Sequence, residues 1–484
     1  MAVFHAVLTD DRRAPHAAVI DLGSEYTYLA LRRRVEHIAA ILADEQFDAA
    51  RPVAVAMPQG FEYVACVLGA LFAGRSFLPV DPAYPAQRIA HMLRDSNASC
   101  VLHDSRLSID VVQQLAVRFI DTSIAPPSTR PSALSVVESE QPIYLIYTSG
   151  TTGLPKGVPI LAAGLHNFLR EQGDYLEVSA QSVFAATSSV SFDMSIWEIF
   201  LCLFHGARIA TFARQVILDG RALGEALVQH RVTHLLMTPS MLSILPRADY
   251  PDLRHVVSAG EKCPTSLVEF WGDRCNFHDA YGATEATIYS TVTRKTVETT
   301  APDVGLPMRG NDILITNENG RPVPVGEVGE ICIGGVGVSP GYVNRPDLNA
   351  AKFVRIEGRA YYRTGDVGSL TVSGSLQFKG RKDKQVKLNG FRIELEEIES
   401  VGNRTGLIDS CHAAIHTAGT SGLSTLILFV VTRKSIVFDQ ATLKGRLGEF
   451  LPAYMVPNRI VPVAELPMTV NGKVDSAALL STLS

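Results

Sequence analysis

Thr148-Ser149-Gly150-Thr151-Thr152-Gly153-Leu154-Pro155-Lys156-Gly157 follows the apolar run Ile143-Tyr144-Leu145-Ile146-Tyr147 and precedes Val158-Pro159-Ile160. The apolar run reads as a buried strand, so the quoted stretch reads as a loop thrown off a core strand. Glycines let backbone N–H groups approach an anion, hydroxyls add donors, and lysine adds a point charge. That is the chemistry of a polyphosphate cradle. The stretch departs from the P-loop, which needs Gly-Lys-Ser/Thr opening a helix; here Pro155 precedes Lys156 and Gly157 follows it. A plain polar surface loop is the competing reading.

On the N-terminal side, Leu31, Val35, Ile38 and Leu42 form a helical stripe with Arg32, Arg33, Arg34 and Glu36 on the outer face. A strand over 53–56, a helix over 63–72 closed by Gly74, a strand over 77–80 and a helix to Leu93 follow. The connector over 121–132 is rich in Ser, Thr and Pro. On the C-terminal side the alternation resumes with strands over 182–186, 207–211, 232–237 and 254–258 and a helix over 191–204. Such alternation signals α/β layers with a largely parallel sheet. Beyond Pro302 short strands and glycine turns suggest a small β subdomain. The charged run Gly380-Arg381-Lys382-Asp383-Lys384 marks the expected domain boundary, with residues 1–380 as the large body and 381–484 as a smaller α+β domain.

At 484 residues the chain exceeds one hydrophobic core. Its 46% hydrophobic and 19% charged content describes an ordinary globular protein, and a net charge of −5 argues against sequence-independent nucleic-acid binding. No apolar run is long enough for a membrane helix. Seven cysteines without CxxC spacing read as reduced thiols, so neither disulfides nor a metal site is expected and a cytoplasmic setting is.

Four further stretches join the phosphate loop: Phe192 to Glu198, Asp279 to Glu285, Tyr362 to Asp366, and the pair Gly380 to Glu399 with Pro467 to Asp475. In this order and spacing the set resembles the adenylate-forming superfamily, and more closely the amino-acid adenylation domains of nonribosomal peptide synthesis, from about Tyr28 to Asp475. The resemblance implies a layered α/β body with a small β subdomain and a mobile α+β C-terminal domain. It also implies ATP and Mg²⁺, and an amino acid converted to an aminoacyl-adenylate and passed to the phosphopantetheine thiol of a separate carrier protein.

Carried over residue by residue, the resemblance makes Lys473, Thr151, Lys156 and Glu285 catalytic, with Glu285 on the metal. Thr148, Ser149, Gly150, Thr152, Gly153, Gly260, Glu261, Asp279, Tyr281, Gly282, Thr284, Asp366 and Arg381 bind the nucleotide. Asp193 partners the substrate ammonium, and Met194, Trp197, Leu236, Val257, Ala259, Ala280, Ile288 and Tyr289 line the side-chain pocket. Asp383 is the hinge, and the Gly390 region is presented to the thiol when the tail rotates. Several residues have local readings of their own. Tyr281 beside Gly282 suits stacking on adenine, Asp366 could cap a turn, Asp193 could cap the helix that follows it, and Lys473 could be a solvated turn lysine.

The pocket residues are apolar apart from the charged anchors, which favours a neutral hydrophobic amino acid. Trp197 with Ala259 and Ala280 resembles aromatic-accepting pockets, whereas Met194, Leu236 and Tyr289 are bulky enough to shorten it for a branched aliphatic one. Ala283 replaces the proline common in Tyr-Gly-Pro-Thr-Glu, and Asn389 the usual arginine before Gly390. With no carrier segment after Lys473 and no His-His-x-x-x-Asp signature, a free-standing ligase or an excised domain is expected. The rival readings are an acyl- or aryl-CoA ligase, against which Asp193 speaks, and a catalytically silent nucleotide-binding protein.

Overall fold

The computed structural model describes residues 2–43, 48, 50–104, 117–122, 139–150, 153–298, 303–382, 385–388, 391–417, 424–433, 437–468 and 474–483. The quoted stretch belongs to a six-stranded sheet in the order Arg118–Asp121, Cys100–His103, Val53–Ala56, Phe77–Val80, Pro142–Thr148 and Lys156–Leu161. Pairing is parallel until the last two strands, which form an antiparallel hairpin with Thr148 opposite Lys156. The flanking strands therefore reach further into the stretch than the sequence suggests. Lys156 opens a strand instead of riding on the loop. Val53–Ala56 and Phe77–Val80 are buried at every position, as strands covered on both faces must be.

The helix Tyr28–Leu42 buries the expected stripe of Leu31, Val35, Ile38 and Leu42, and Thr27 caps it by accepting from Ala30 N at 3.2 Å. It crosses the helix Phe61–Phe72 at Gly69, where a Cβ would stand 2.6 Å from Ile38, so only glycine permits this approach.

A nine-stranded sheet runs Leu306–Pro307, Thr291–Lys295, Asn276–Tyr281, His255–Ala259, His234–Met237, Val183–Ala186, Arg208–Thr211, Ala17–Asp21 and Ser24–Thr27. Its central five strands are parallel. Between Asn276–Tyr281 and Thr291–Lys295 lies a tight loop, and a Cβ on Gly282 would fall 2.2 Å from the Tyr289 backbone. The small β subdomain is a five-stranded sheet with Ile313, Ile315, Ile331, Ile333 and Leu376 at its centre.

The tail has a core of its own, formed by Ile393, Ile398, Leu428, Leu443, Leu447 and their neighbours. Its helices Leu395–Arg404 and Gln440–Gly448 and strands Ile408–Thr417 and Ser424–Thr432 make up the α+β pattern expected of this part of the chain. Two elements are not legible there: the parallel edge strand Arg459–Val463 and the hairpin Gln385–Leu388 with Phe391–Glu394. Arg381, the first residue of the expected second domain, completes the body strand Leu376–Arg381 opposite Asp366. Large α/β body, β subdomain and smaller α+β tail match the expected fold class.

Candidate active site

Strand ends His255–Ala259 and Asn276–Tyr281, the turn of the phosphate-loop hairpin, the start of the helix after Asp193 and the tail hairpin all meet at one cleft. Clefts at the carboxyl ends of parallel strands are where α/β sheets bind ligands. This one encloses about 970 Å³ of empty space, part of it open to solvent. From the body come Thr148, Ser149, Asp193, Met194, Ala259, Gly260, Ala280, Gly282, Thr284, Ile288, Tyr289, Asp366 and Arg381; from the tail come Gln385, Lys387, Arg392 and Tyr454.

Asp193 occupies the cap position of the helix starting at Met194, but its side chain caps nothing. Its carboxylate instead accepts from Thr284 Oγ1 at 2.6 Å across the cleft. Burial raises its pKa from the usual 3.8 to about 6, with Thr284 opposing. The helix continues as a π-helical turn over Trp197–Leu201. Beneath it the fully buried Glu198 accepts from Thr187 and Ser188, through both backbone and hydroxyl of each, and so braces the neighbouring strand end.

Glu285 is fully buried in the short helix Thr284–Ala286. Burial alone would raise its pKa, but Arg392 and then Lys156 outweigh it and hold the carboxyl at about 2. Arg392 Nη1 reaches both its oxygens, at 2.9 and 3.1 Å, and Tyr342 Oη donates at 2.7 Å. Lys156 lies over the Tyr342 ring with Nζ 4.6 Å from the centroid, and burial lowers its pKa to about 8. An ionised carboxylate is the hard oxygen donor that Mg²⁺ carried on phosphates takes, and Glu285 would fit the Mg²⁺ that the resemblance implies once Arg392 of the tail moves off its two oxygens. The described part of the phosphate loop meets the tail. Ser149 Oγ donates to the Arg392 carbonyl at 2.8 Å and Gly150 N to Glu397 Oε2 at 3.2 Å. Glu397 in turn pairs with Arg88 at 2.8 Å, both side chains 2% exposed.

Tyr281, Asp366 and Arg381 come together as one unit: Tyr281 Oη donates to Asp366 Oδ2 at 2.7 Å, and Arg381 pairs with the other oxygen. Asp279 is buried on the strand that leads to Tyr281, near Lys295 and Asp303, its pKa raised by burial to about 7. Gly260 lines the cleft with φ +86°, whereas the Glu261 carboxylate accepts from Ser240 N and Oγ, at 3.0 and 2.6 Å, at the start of the helix Pro239–Ile244.

Among the expected pocket residues, Met194, Ala259, Ala280, Ile288 and Tyr289 line the cleft, while Trp197, Leu236 and Val257 are fully buried and do not. Thr287 and Ile288 both take left-handed backbone, φ +63° and +68°, at a cost of order 1–3 kcal/mol each, and this turns Ile288 and Tyr289 toward the substrate side. Lys473, Thr151, Thr152, Asp383 and Gly390 lie outside the described residues. Sequence reasoning gives no role to Tyr342, Lys387, Arg392 or Glu397. The 380–399 stretch carries several charges, but only its fold shows which of them face the cleft. All seven cysteines are free thiols, and no His/Cys/Asp/Glu cluster of metal-binding form occurs among the described residues. No helix among them is long and apolar enough to cross a membrane.

Two family models match the chain: the AMP-binding enzyme model over residues 8–343 and the AMP-binding enzyme C-terminal domain over 397–473. The chain belongs to the AMP-binding enzymes, the adenylate-forming superfamily. Its similarity runs to the adenylation units of nonribosomal peptide synthesis. Syringomycin synthase SyrB1 of Pseudomonas syringae pv. syringae is 34% identical over 99% of this chain and 82% of its own length. Novobiocin biosynthesis protein H of Streptomyces niveus is 33% identical over 96% of this chain and 80% of its own. Against bacitracin synthase 3 of Bacillus licheniformis identity is 33% over 96% of this chain, which spans 7% of that protein. The structure of holo-PA1221, a protein containing adenylation and PCP domains, superposes with a TM-score of 0.87 at 25% identity, covering 99% of this chain and 84% of that one.

Proposed function

We propose that this adenylate-forming enzyme activates a hydrophobic α-amino acid as its aminoacyl-adenylate, releasing pyrophosphate, and then passes it to the phosphopantetheine thiol of a carrier protein in trans. The observation that carries this reading is Asp193. A carboxylate sunk in the cleft and held by one hydroxyl, at the mouth of an apolar pocket, is costly unless a cation joins it, and the α-ammonium of an amino acid is such a cation. A fatty or aryl acid would leave it only Thr284 and the more distant charge of Lys387.

In this reading a substrate carboxylate attacks the α-phosphorus of ATP and pyrophosphate leaves, so negative charge must be offset around phosphorus. Lys156 would meet the departing phosphates, as would the Ser149 and Gly150 donors once the tail releases them. The Tyr281, Asp366 and Arg381 unit holds the ribose side, with Asp366 accepting from the sugar hydroxyls. Glu285 would hold Mg²⁺, which when bound neutralises phosphate charge. Lys473 supplies the bridging cation between carboxylate and nucleotide. In this reading the tail rotates for thiol transfer, and the hairpin Gln385–Leu388 with Phe391–Glu394, which flanks the Gly390 region and reaches the cleft, is the part of the tail that would meet the thiol.

The test is pyrophosphate exchange against a panel of amino acids, fatty acids and aryl acids. Exchange driven by amino acids only is the expected result. Exchange driven by fatty or aryl acids sinks the reading in favour of a CoA-ligase type of enzyme, and exchange with no acid at all sinks activation altogether. Transfer to the carrier is read separately, by mass spectrometry of a pantetheinylated carrier protein.

A further inference from the structure

The side-chain pocket ends sooner than its residue set suggests. Trp197, with Ala259 and Ala280, would suit an aromatic guest, yet Trp197 is fully buried and lies outside the cleft lining, as do Leu236 and Val257. Between Trp197 and the cleft stands Tyr289, which does line it. Trp197 Nε1 donates to Tyr289 Oη at 3.1 Å, so the tyrosine hydroxyl is anchored at the indole edge. Tyr289 Oη then donates to Gln172 Oε1 at 2.6 Å, and Gln172 Nε2 contacts Met308 Sδ at 2.7 Å. Phe168 meets the same ring edge-on, with centroids 4.9 Å apart.

Gln172 lies on the helix Ala162–Tyr175, is 1% exposed, and stands outside the residues expected to set specificity. A buried amide at this depth is unfavourable without partners. Its oxygen holds one ring hydroxyl in place, which fixes where the floor lies. With its proton given to Gln172, the Tyr289 hydroxyl has none to offer a substrate side chain. Above the floor the wall consists of Met194, Ala259, Gly260, Ala280 and Ile288, none with a polar side-chain group. The space left is apolar and bounded by the Tyr289 ring.

We infer that the pocket takes a small or branched aliphatic α-amino acid, of alanine to leucine size, and that Gln172 is a positioning residue that excludes aromatic side chains by holding Tyr289 across the floor. The inference rests on amino-acid activation as proposed above. Gln172 touches no substrate. Its effect passes through the tyrosine hydroxyl, and loss of that hydrogen bond lets the ring tilt toward Met308 and lengthens the pocket.

The experiment is pyrophosphate exchange with alanine, valine, leucine and phenylalanine, compared as kcat/KM. For the wild type, the best aliphatic substrate should lead phenylalanine by at least about tenfold, the scale of discrimination an apolar pocket reaches. Phenylalanine in the lead overturns the inference while leaving amino-acid activation standing. No exchange with any amino acid takes down the activation reading and this one with it. Gln172→Leu and Tyr289→Phe should each raise the phenylalanine-to-aliphatic ratio by about tenfold, and the double variant should match either single one. Effects that multiply in the double variant overturn the positioning role, since Gln172 would then act by some route other than the hydroxyl. The wild-type panel decides pocket depth even if a variant fails to fold.

Discussion

Asp193→Asn should make the protein more stable and nearly inactive. The carboxyl sits deep in the cleft and titrates at about 6 where an exposed aspartate titrates at 3.8. The folded protein therefore holds this proton more tightly than the unfolded chain does. The group favours folding fully below pH 3.8, and that contribution is lost as pH rises through about 6. At 1.36 kcal/mol per pH unit the gap amounts to about 3 kcal/mol carried as a penalty at neutral pH. Asparagine keeps the shape and can still accept from Thr284, but it has no charge to bury. Thermal unfolding at pH 8 should accordingly show the variant several degrees above wild type, with the difference shrinking to nothing near pH 4. Activity should move the other way. Removing the carboxylate from a buried ammonium costs about 2–5 kcal/mol, or roughly 30- to 5,000-fold in kcat/KM. Glu285 and Lys387 also act on this group, Glu285 raising and Lys387 lowering its pKa. The acid limb near pH 6 in the wild-type profile should disappear in the variant, because the Asp193 carboxyl that gives rise to it is gone. A variant that is less stable at pH 8, or that keeps its exchange with amino acids, refutes the assignment of Asp193 as the ammonium partner.

Glu285→Gln removes the ionised oxygen donor and should lower pyrophosphate exchange by roughly a hundredfold or more, with the Mg²⁺ concentration at half-maximal rate shifted upward; an unchanged Mg²⁺ dependence counts against a metal role. Because burial holds Lys156 at about 8 in the free protein, it loses its charge as pH rises through that value. ATP binding at pH 8.5 should thus take up protons, measurable as a calorimetric enthalpy that depends on buffer, and Lys156→Gln should abolish the uptake. Arg88 and Glu397 clamp the tail to the body through a pair with 2% exposure on each side. Arg88→Met or Glu397→Gln alone should weaken that docking by about 3–5 kcal/mol, since each strands a buried partner, and the double variant should recover part of the loss. Hydrogen exchange in residues 391–404 reports it.

How much of this was legible in the sequence depends on how far apart the partners lie along the chain. The body's layers could be read because each helix and strand buries a stripe set by its own period, as Leu31, Val35, Ile38 and Leu42 do. The residues meeting at the cleft could be read too, since Thr148, Asp193, Thr284 and Asp366 sit in short motifs with marked chemistry. What joins them could not. Arg88 meets Glu397 across 309 positions, Arg392 meets Glu285 across 107, and Tyr289 meets Gln172 across 117. No local pattern carries such a pairing, and each of Arg88, Gln172 and Arg392 looks like a surface polar residue in its own stretch.

The same distance in sequence explains why residue identity alone left the substrate open. A residue set says which side chains can reach the pocket, and this set contains both an indole suited to an aromatic guest and a tyrosine suited to excluding it. The outcome turns on which of the two is in front. That order is decided by the tight turn over 282–290, where Gly282 lets the Tyr289 backbone come close and two left-handed residues aim its ring inward. It is decided equally by the opposite wall, where Gln172 offers an acceptor that, with the Trp197 N–H, fixes the Tyr289 hydroxyl. Pocket depth is thus a property of three elements distant in sequence. A change in any one of them, with every expected pocket residue untouched, should be enough to change what the enzyme selects.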